Sequence, residues 1–271
     1  MFDAMYIGAT GMQAQQLGIN TIANNLANVN TPAFKKARVN FTDLMSVDPN
    51  GMPASGTAGV DGGTLLEAGP MAAIQRLGIG VGIAGTPTMF DQGTLNVTSS
   101  PWDVAIQGDG FLTVSMPDGT TQYTRGGTLQ VNSDGVLASQ SGQPLKPAIA
   151  IPSNASQISI GADGSVTAIV PSQSAPVALG QLEMVRFANP NSLLAQSSGL
   201  FSSTDGSGEP ISGDAGQDGI GTLQQGSLEG SNVQMVNEMV NLMVAQRGYE
   251  ASVKVVQAAD ELLGMVNNLR K

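Results

Sequence analysis

The chain has 271 residues with no Cys, no His and a single Trp, and its 11 basic and 21 acidic side chains give a net charge of −10. Without Cys there is no disulfide, thiolate metal site or Cys nucleophile, and without His there is no Ser-His-Asp triad or imidazole base. Nucleic acid is not an expected partner, because phosphate binding needs clustered Lys and Arg, and Lys35, Lys36 and Arg38 alone do not make a binding face.

Charged residues make up only 12% of the chain and aromatics 4%, while Gly is frequent at 35. That composition suits β-structure with many tight turns. The charge is unevenly placed: residues 1–30 carry only Asp3, residues 233–271 carry four acids and four bases, and the middle holds 16 acids against 7 bases. No uncharged apolar run approaches the ~20 residues of a membrane span, so membrane insertion is not expected. The start, Met1-Phe2-Asp3-Ala4-Met5, lacks the basic flank and continuous apolar core of a cleavable secretory signal.

Residues 4–29 read as a helix. Met5, Met12, Ile19 and Leu26 recur every seven residues, with Ile22 and Val29 three places after the last two. Gly8, Gly11 and Gly18 each weaken it by up to ~1 kcal/mol relative to Ala, so it is not expected to hold alone in water. Asn20, Asn24 and Asn28 lie at i,i+4 spacing with Asn25 and Asn30 beside them. They are either a polar face turned to water or a source of helix-to-helix hydrogen bonds, and periodicity does not separate the two. Thr31-Pro32 ends the pattern, since a residue before Pro avoids the α region.

The middle reads as β-structure. Residues 46–64 and 202–219 are expected to be long loops. Gly80-Val81-Gly82-Ile83-Ala84-Gly85 matches GxGxxG by letter, but Pro87 and Asp91-Gln92-Gly93 leave no room for the helix that a dinucleotide site requires. A flexible or bulged β-segment is the better reading. Seven of the fourteen aspartates precede Gly, at 61, 109, 118, 134, 163, 205 and 218, which signals hairpin turns of type I′. None of them sits in the frame of an EF-hand loop, and one Trp with three Tyr offers little surface for a carbohydrate platform. No catalytic residue, cofactor or metal is expected.

The C-terminal helix is expected over 232–269, about 55 Å long at 1.5 Å per residue. Ser231 with Gln234 reads as a capping box. Met235, Leu242, Tyr249, Val256 and Leu263 form a seven-residue seam joined by Met239 and Val253, and Glu250 with Lys254 adds an i,i+4 pair. Val233, Val236, Val240, Met243 and Val244 lie off that seam, and a helix apolar on several faces must be buried on several faces. Seven of the thirteen methionines fall in the two terminal segments, which suits either surfaces that accept varied neighbours or ordinary core filling. The expected fold is therefore α+β, with long N- and C-terminal helices forming a coiled-coil-like domain around a mainly antiparallel β middle. The expected domains are 1–30 with 233–271, 31–90 with 200–232, and 91–199.

The run Ile22-Ala23-Asn24-Asn25-Leu26-Ala27-Asn28-Val29-Asn30-Thr31, followed by Phe34-Lys35, resembles the N-terminal signature of bacterial flagellar rod and hook proteins. Gly230-Ser231-Asn232-Val233, with Glu238, Val240 and Gln246-Arg247-Gly248-Tyr249-Glu250, resembles the matching C-terminal signature. Asp103 to Phe111 and Tyr123-Thr124-Arg125 are similar to family patterns in the middle. Length and the run from Ile151-Pro152 to Val166 resemble the distal-rod members. Thr31-Pro32-Ala33-Phe34 is closer to a form common among proximal-rod members, so a proximal-rod or hook-like paralogue is the alternative. A non-polymerising secreted acidic β-module is the competing class.

The resemblance implies a structural, non-enzymatic subunit exported by the flagellar type III apparatus without a cleaved signal. It implies helical self-polymerisation into a periplasm-spanning rod, with proximal-rod proteins, hook protein and surrounding ring proteins as partners. The terminal helices would pack around the export channel with β-domains outside. Asp at Leu242 or Val256 is then expected to abolish assembly.

Overall fold

Helical periodicity at each end of the chain becomes a helix: α1 spans Phe2–Ala27 and α2 spans Met235–Leu269. The structure is a computed structural model that describes residues 2–45, 78–171 and 175–269, so the loop expected at 46–64 lies outside the described residues. α1 ends in a turn where the Thr31 hydroxyl donates to Asn28 Oδ1 at 3.1 Å, just before Pro32, which has no amide to continue the ladder. α2 starts at Met235, not 232. Ser231 Oγ accepts the Val233 amide at 3.3 Å, closing a tight turn in place of the expected capping box.

The described chain divides into two units, the first comprising Met1–Ile19, Asn40–Gly85 and Val244–Lys271, the second Asn20–Val39 and Thr86–Met243. In the first unit, strand Asn40–Met45 pairs antiparallel with Gly78–Gly85, with irregular register at both ends. The GxGxxG letters are therefore part of a bulged β-ribbon. The ribbon rests on α1, where a Cβ at Gly80 would collide with the Thr10 side chain.

The second unit is antiparallel β throughout its described pairings. Its largest sheet places, in order, Leu194–Ala195, Leu200–Ser202, Thr121–Thr124, Phe111–Ser115, Met184–Arg186 and Ile211–Gly213. Beside it lie the three-stranded sheets Gln157–Ile160, Ser165–Ile169, Val177–Gln181 and Thr222–Gln225, Asp103–Gln107, Gly126–Thr128. The main core gathers Val104, Ile106, Leu112, Val114, Leu145 and Met184, with Trp102 packed against it. A second core is aromatic: Phe90 meets Phe111 and Phe201 edge-on at 5.2 and 4.9 Å, and Tyr123 meets Phe187 at 4.8 Å. The loop expected at 202–219 carries strand Ile211–Gly213, which finds its hydrogen bonds on Met184–Arg186.

The Asp218-Gly219 turn has positive φ at both central residues, as expected for type I′, with the Ile220 amide donating to the Gln217 carbonyl at 2.8 Å. Two other Asp-Gly turns differ from the expected type. In the hairpins at 116–120 and 161–165 only the glycines, Gly119 and Gly164, have positive φ. A type I turn followed by a left-handed glycine has that signature, and it closes a longer loop than type I′. The aspartates brace these loops: Asp118 Oδ1 accepts the Thr120 amide and hydroxyl, and Asp163 Oδ1 those of Ser165. The hydroxyl bonds first, then the amides, hold both carboxyls below their ordinary value of 3.8. A lowered folded pKa means stabilisation that is present above 3.8 and lost as pH falls through the folded value. NMR titration is expected to place both carboxyls below 3.8, with Thr120→Val and Ser165→Ala returning each toward it.

The α+β class stands, but the coiled-coil-like domain does not form. The buried positions of α1 are Gly8, Ala14, Gly18 and Asn25, whereas Met5, Met12, Ile19, Ile22 and Leu26 are only half-buried, as is Val29 just beyond it. Met235 and Met239, two members of the α2 seam, are 46 and 47% exposed. Within the first unit the helices run antiparallel and meet through small residues, Gly8 against Val256, Gly11 against Ser252, and Gly248 against Gln15. A Cβ at Gly8 would come within 2.5 Å of Val256 Cγ2. Backbones this close leave no holes for large knobs, which a coiled coil requires.

Candidate functional site

Two features stand out. One is a buried polar junction where the N-terminal segment, the β-unit and the start of α2 meet; the other is the outer face of α2.

At the junction, Glu229 is 1% exposed and takes Lys35 Nζ on Oε1 at 2.6 Å, while Arg125 Nε stands 3.4 Å from Oε2. The Gly93 amide donates to Oε1 at 2.9 Å, and Lys35 also donates to the Asp91 carbonyl at 2.8 Å. Arg125 spends its terminal nitrogens on the Gly110 and Gly108 carbonyls at 2.7 and 2.9 Å and lies over the Phe111 ring. Burial is the dominant influence on Lys35 and lowers its pKa from 10.5, against the raising effect of Glu229. Two cations therefore share one carboxylate away from water, an arrangement that depends on every member.

Two asparagines complete the junction. Asn25, 2% exposed, binds both backbone groups of Ala37: Nδ2 to its carbonyl at 2.9 Å and its amide to Oδ1 at 3.0 Å. The polar side chain thus ties α1 to the chain that follows it, and not to another helix. Asn232 takes the Lys36 amide on Oδ1 at 2.8 Å and donates to the Met89 carbonyl at 2.8 Å. An open groove of about 620 Å³ runs alongside, lined in part by Asn24, Asn28, Phe34 and Phe201. Thr31 closes the turn below it.

The signature residues are thus split by the structure. Asn25 and Val233 are buried, the latter 8% exposed, and Asn232 is half-buried. Leu26, Asn28, Phe34, Ser231 and Tyr249 are half-buried, and Gln246 is exposed. Arg247 and Glu250 form a surface ion pair at 3.1 Å, which contributes little in water. Sequence reasoning missed Glu229 altogether. The available signal was the scarcity of charge: in a chain only 12% charged, an acid just before Gly230-Ser231-Asn232 stands out.

On α2 the least exposed positions are Glu238, Leu242, Ala245, Tyr249, Ser252, Val256, Ala259 and Leu263, a three-four alternation along one side. Val253 is half-buried beside them. The remaining apolar residues face water: Val236 is 73% exposed, Val240 48%, Met243 57% and Val244 66%. Toward the end of the helix Val255, Leu262, Met265 and Val266 are about half exposed as well. Exposed apolar residues recurring along one helix in this way make it a candidate interaction surface. Among the described residues no helix is long and apolar enough to cross a membrane, and no group of three or more acidic side chains could hold a metal ion.

Three family models match the chain: flagella basal body rod protein over residues 5–35, the D1 domain of flagellar hook protein FlgE/F/G over 105–168, and the C-terminal segment of flagellar basal body rod FlgEFG protein over 224–269. The flagellar basal-body rod protein FlgG of Borreliella burgdorferi is 42% identical across the full length of both chains. The chain belongs to the flagellar FlgE/F/G family. FlgG of Buchnera aphidicola (from Acyrthosiphon pisum) is 38% identical over 99% of this chain and all of its own. FlgG of Caulobacter vibrioides is 36% identical over 99% of each. Lys35, Arg125 and Glu229 come one from each of the three matched family segments. The buried junction is where those segments are bound together.

Proposed function

We propose that this protein is the structural subunit of the distal rod of the bacterial flagellar basal body, a helical polymer that transmits torque to the hook. The carrying observation is the water-facing apolar stripe of α2 in a chain that matches a rod protein along that protein's full length. Burying a Val or Met side chain completely contributes about 1.5–3 kcal/mol, and Val236, Val240, Met243 and Val244 together await such burial. Neighbouring copies supply it: the same contact repeated head to tail without closing gives a filament. The role is mechanical, not catalytic. Export by the flagellar type III apparatus, proximal-rod, hook and ring proteins as partners, and an arrangement of the terminal helices around the export channel belong to the same reading.

The test is assembly of the purified full chain, followed by sedimentation and electron microscopy. Rods are expected from the full chain, and none from a chain lacking residues 1–19 and 244–271, which retains the β-unit and should keep its Trp102 fluorescence. A compact full-length monomer at every concentration would overturn the reading in favour of a non-polymerising module. Rods from the shortened chain would show that the removed helix segments are not the interface.

A further inference from the structure

α2 carries three methionines one above another. Met235, Met239 and Met243 stand at four-residue steps, which a helix of 3.6 residues per turn keeps on one side. They are 46, 47 and 57% exposed, whereas Met184, in the β core, is fully buried. The chain has no Cys, so thioether sulfur is its only sulfur, and these side chains present it to solvent.

We propose that Met235, Met239 and Met243 are an oxidation-sensitive site that controls assembly, converted to sulfoxides by peroxide in the free subunit. The proposal rests on the reading that this face of α2 becomes buried between copies. In the chemical step a sulfur lone pair attacks one oxygen of hydrogen peroxide. The S–O bond forms as the O–O bond breaks, sulfur is oxidised by two electrons, and the departing hydroxide takes the remaining proton to leave as water. The product is a polar, chiral side chain in place of a flexible apolar one. Val236, Val240 and Val244, which flank the methionines on the exposed part of the helix, have no side-chain donor for the new oxygen. Burial of an unpartnered sulfoxide against a second copy therefore opposes the contact, while the β-unit, whose Met184 is shielded, stays folded.

The experiment treats full-length monomer with hydrogen peroxide, maps sulfoxides by peptide mass spectrometry and measures the critical concentration for assembly. Met235, Met239 and Met243 are expected to oxidise at least ~tenfold faster than Met184, and the critical concentration to rise at least ~tenfold. Methionine sulfoxide reductases should restore assembly of the treated wild type. The triple variant M235L/M239L/M243L should assemble before and after treatment alike, and methionines in preformed rods should be protected. Treated protein that assembles normally with sulfoxides at these positions would overturn the proposal. So would reductase repair of them without regained assembly, or loss of assembly in the treated triple variant. Untreated protein that never assembles would instead sink the underlying rod reading and the proposal with it.

Discussion

Glu229→Ala is expected to destabilise the β-unit by about 3–5 kcal/mol, the cost of removing one partner from a buried ion cluster. The carboxylate pairs with both Lys35, at 2.6 Å, and Arg125, at 3.4 Å, and it also receives the Gly93 amide. Without it, two cations are left in a dry site with backbone carbonyls as their remaining partners. Glu229→Gln keeps the shape but not the charge and should fall between wild type and Ala. Urea unfolding followed by Trp102 fluorescence reads the change, since Trp102 packs on the main core; a loss below about 1 kcal/mol would contradict the argument.

The pH dependence has a definite sign. Burial lowers the Lys35 pKa in the folded state, so between that value and 10.5 the unfolded chain binds more protons and stability rises with pH. Loss of Glu229 removes the group that raises the Lys35 pKa and moves its deprotonation to lower pH. The deficit of Glu229→Ala relative to wild type should therefore shrink as pH rises toward 10.5. A deficit that is constant with pH would mean the ammonium is not the group left unpaired.

Val240→Asp is expected to raise the critical concentration for assembly at least ~100-fold while leaving the monomer folded. Val240 is 48% exposed on α2, and surface substitutions of this kind change monomer stability by about 0.5 kcal/mol or less. In a polymer the same carboxylate would be buried without a cation. Leu242 and Val256 are less discriminating targets, because both are half-buried and Val256 lies against Gly8 within the subunit. Asp at either would disturb fold and assembly together. Pelleting and electron microscopy measure the effect, and rods formed by Val240→Asp at the wild-type concentration would remove this face from the interface.

The two helices, the antiparallel middle and the hairpin positions could be read from the chain because each is encoded over a few residues. Seven-residue recurrences, alternation at 157–160 and 165–169, and Asp followed by Gly are all local signals. The fate of Met235 was not legible in the same way. Periodicity says that Met5, Met235 and Leu242 share faces of helices, but not how closely the helices approach. Gly8 and Gly11, read as weaknesses of a helix, are points where the two helices approach closely, as is Gly248. The multi-faced apolar character of α2 was legible; which of its faces stays in water was not.

The sequence by itself determined the class of the molecule, its family signatures, the absence of Cys and His, and the neutral ends around an acidic centre. Those properties depend only on residue types and short spacings. Only the tertiary structure decided that Lys35 and Glu229, 194 positions apart, share one proton-rich contact with Arg125. It alone decided that Asn25 binds the backbone of Ala37, and that small residues replace a coiled-coil seam where the helices meet. Burial and pairing depend on which distant segments exclude water from one another, and no local spacing carries that information.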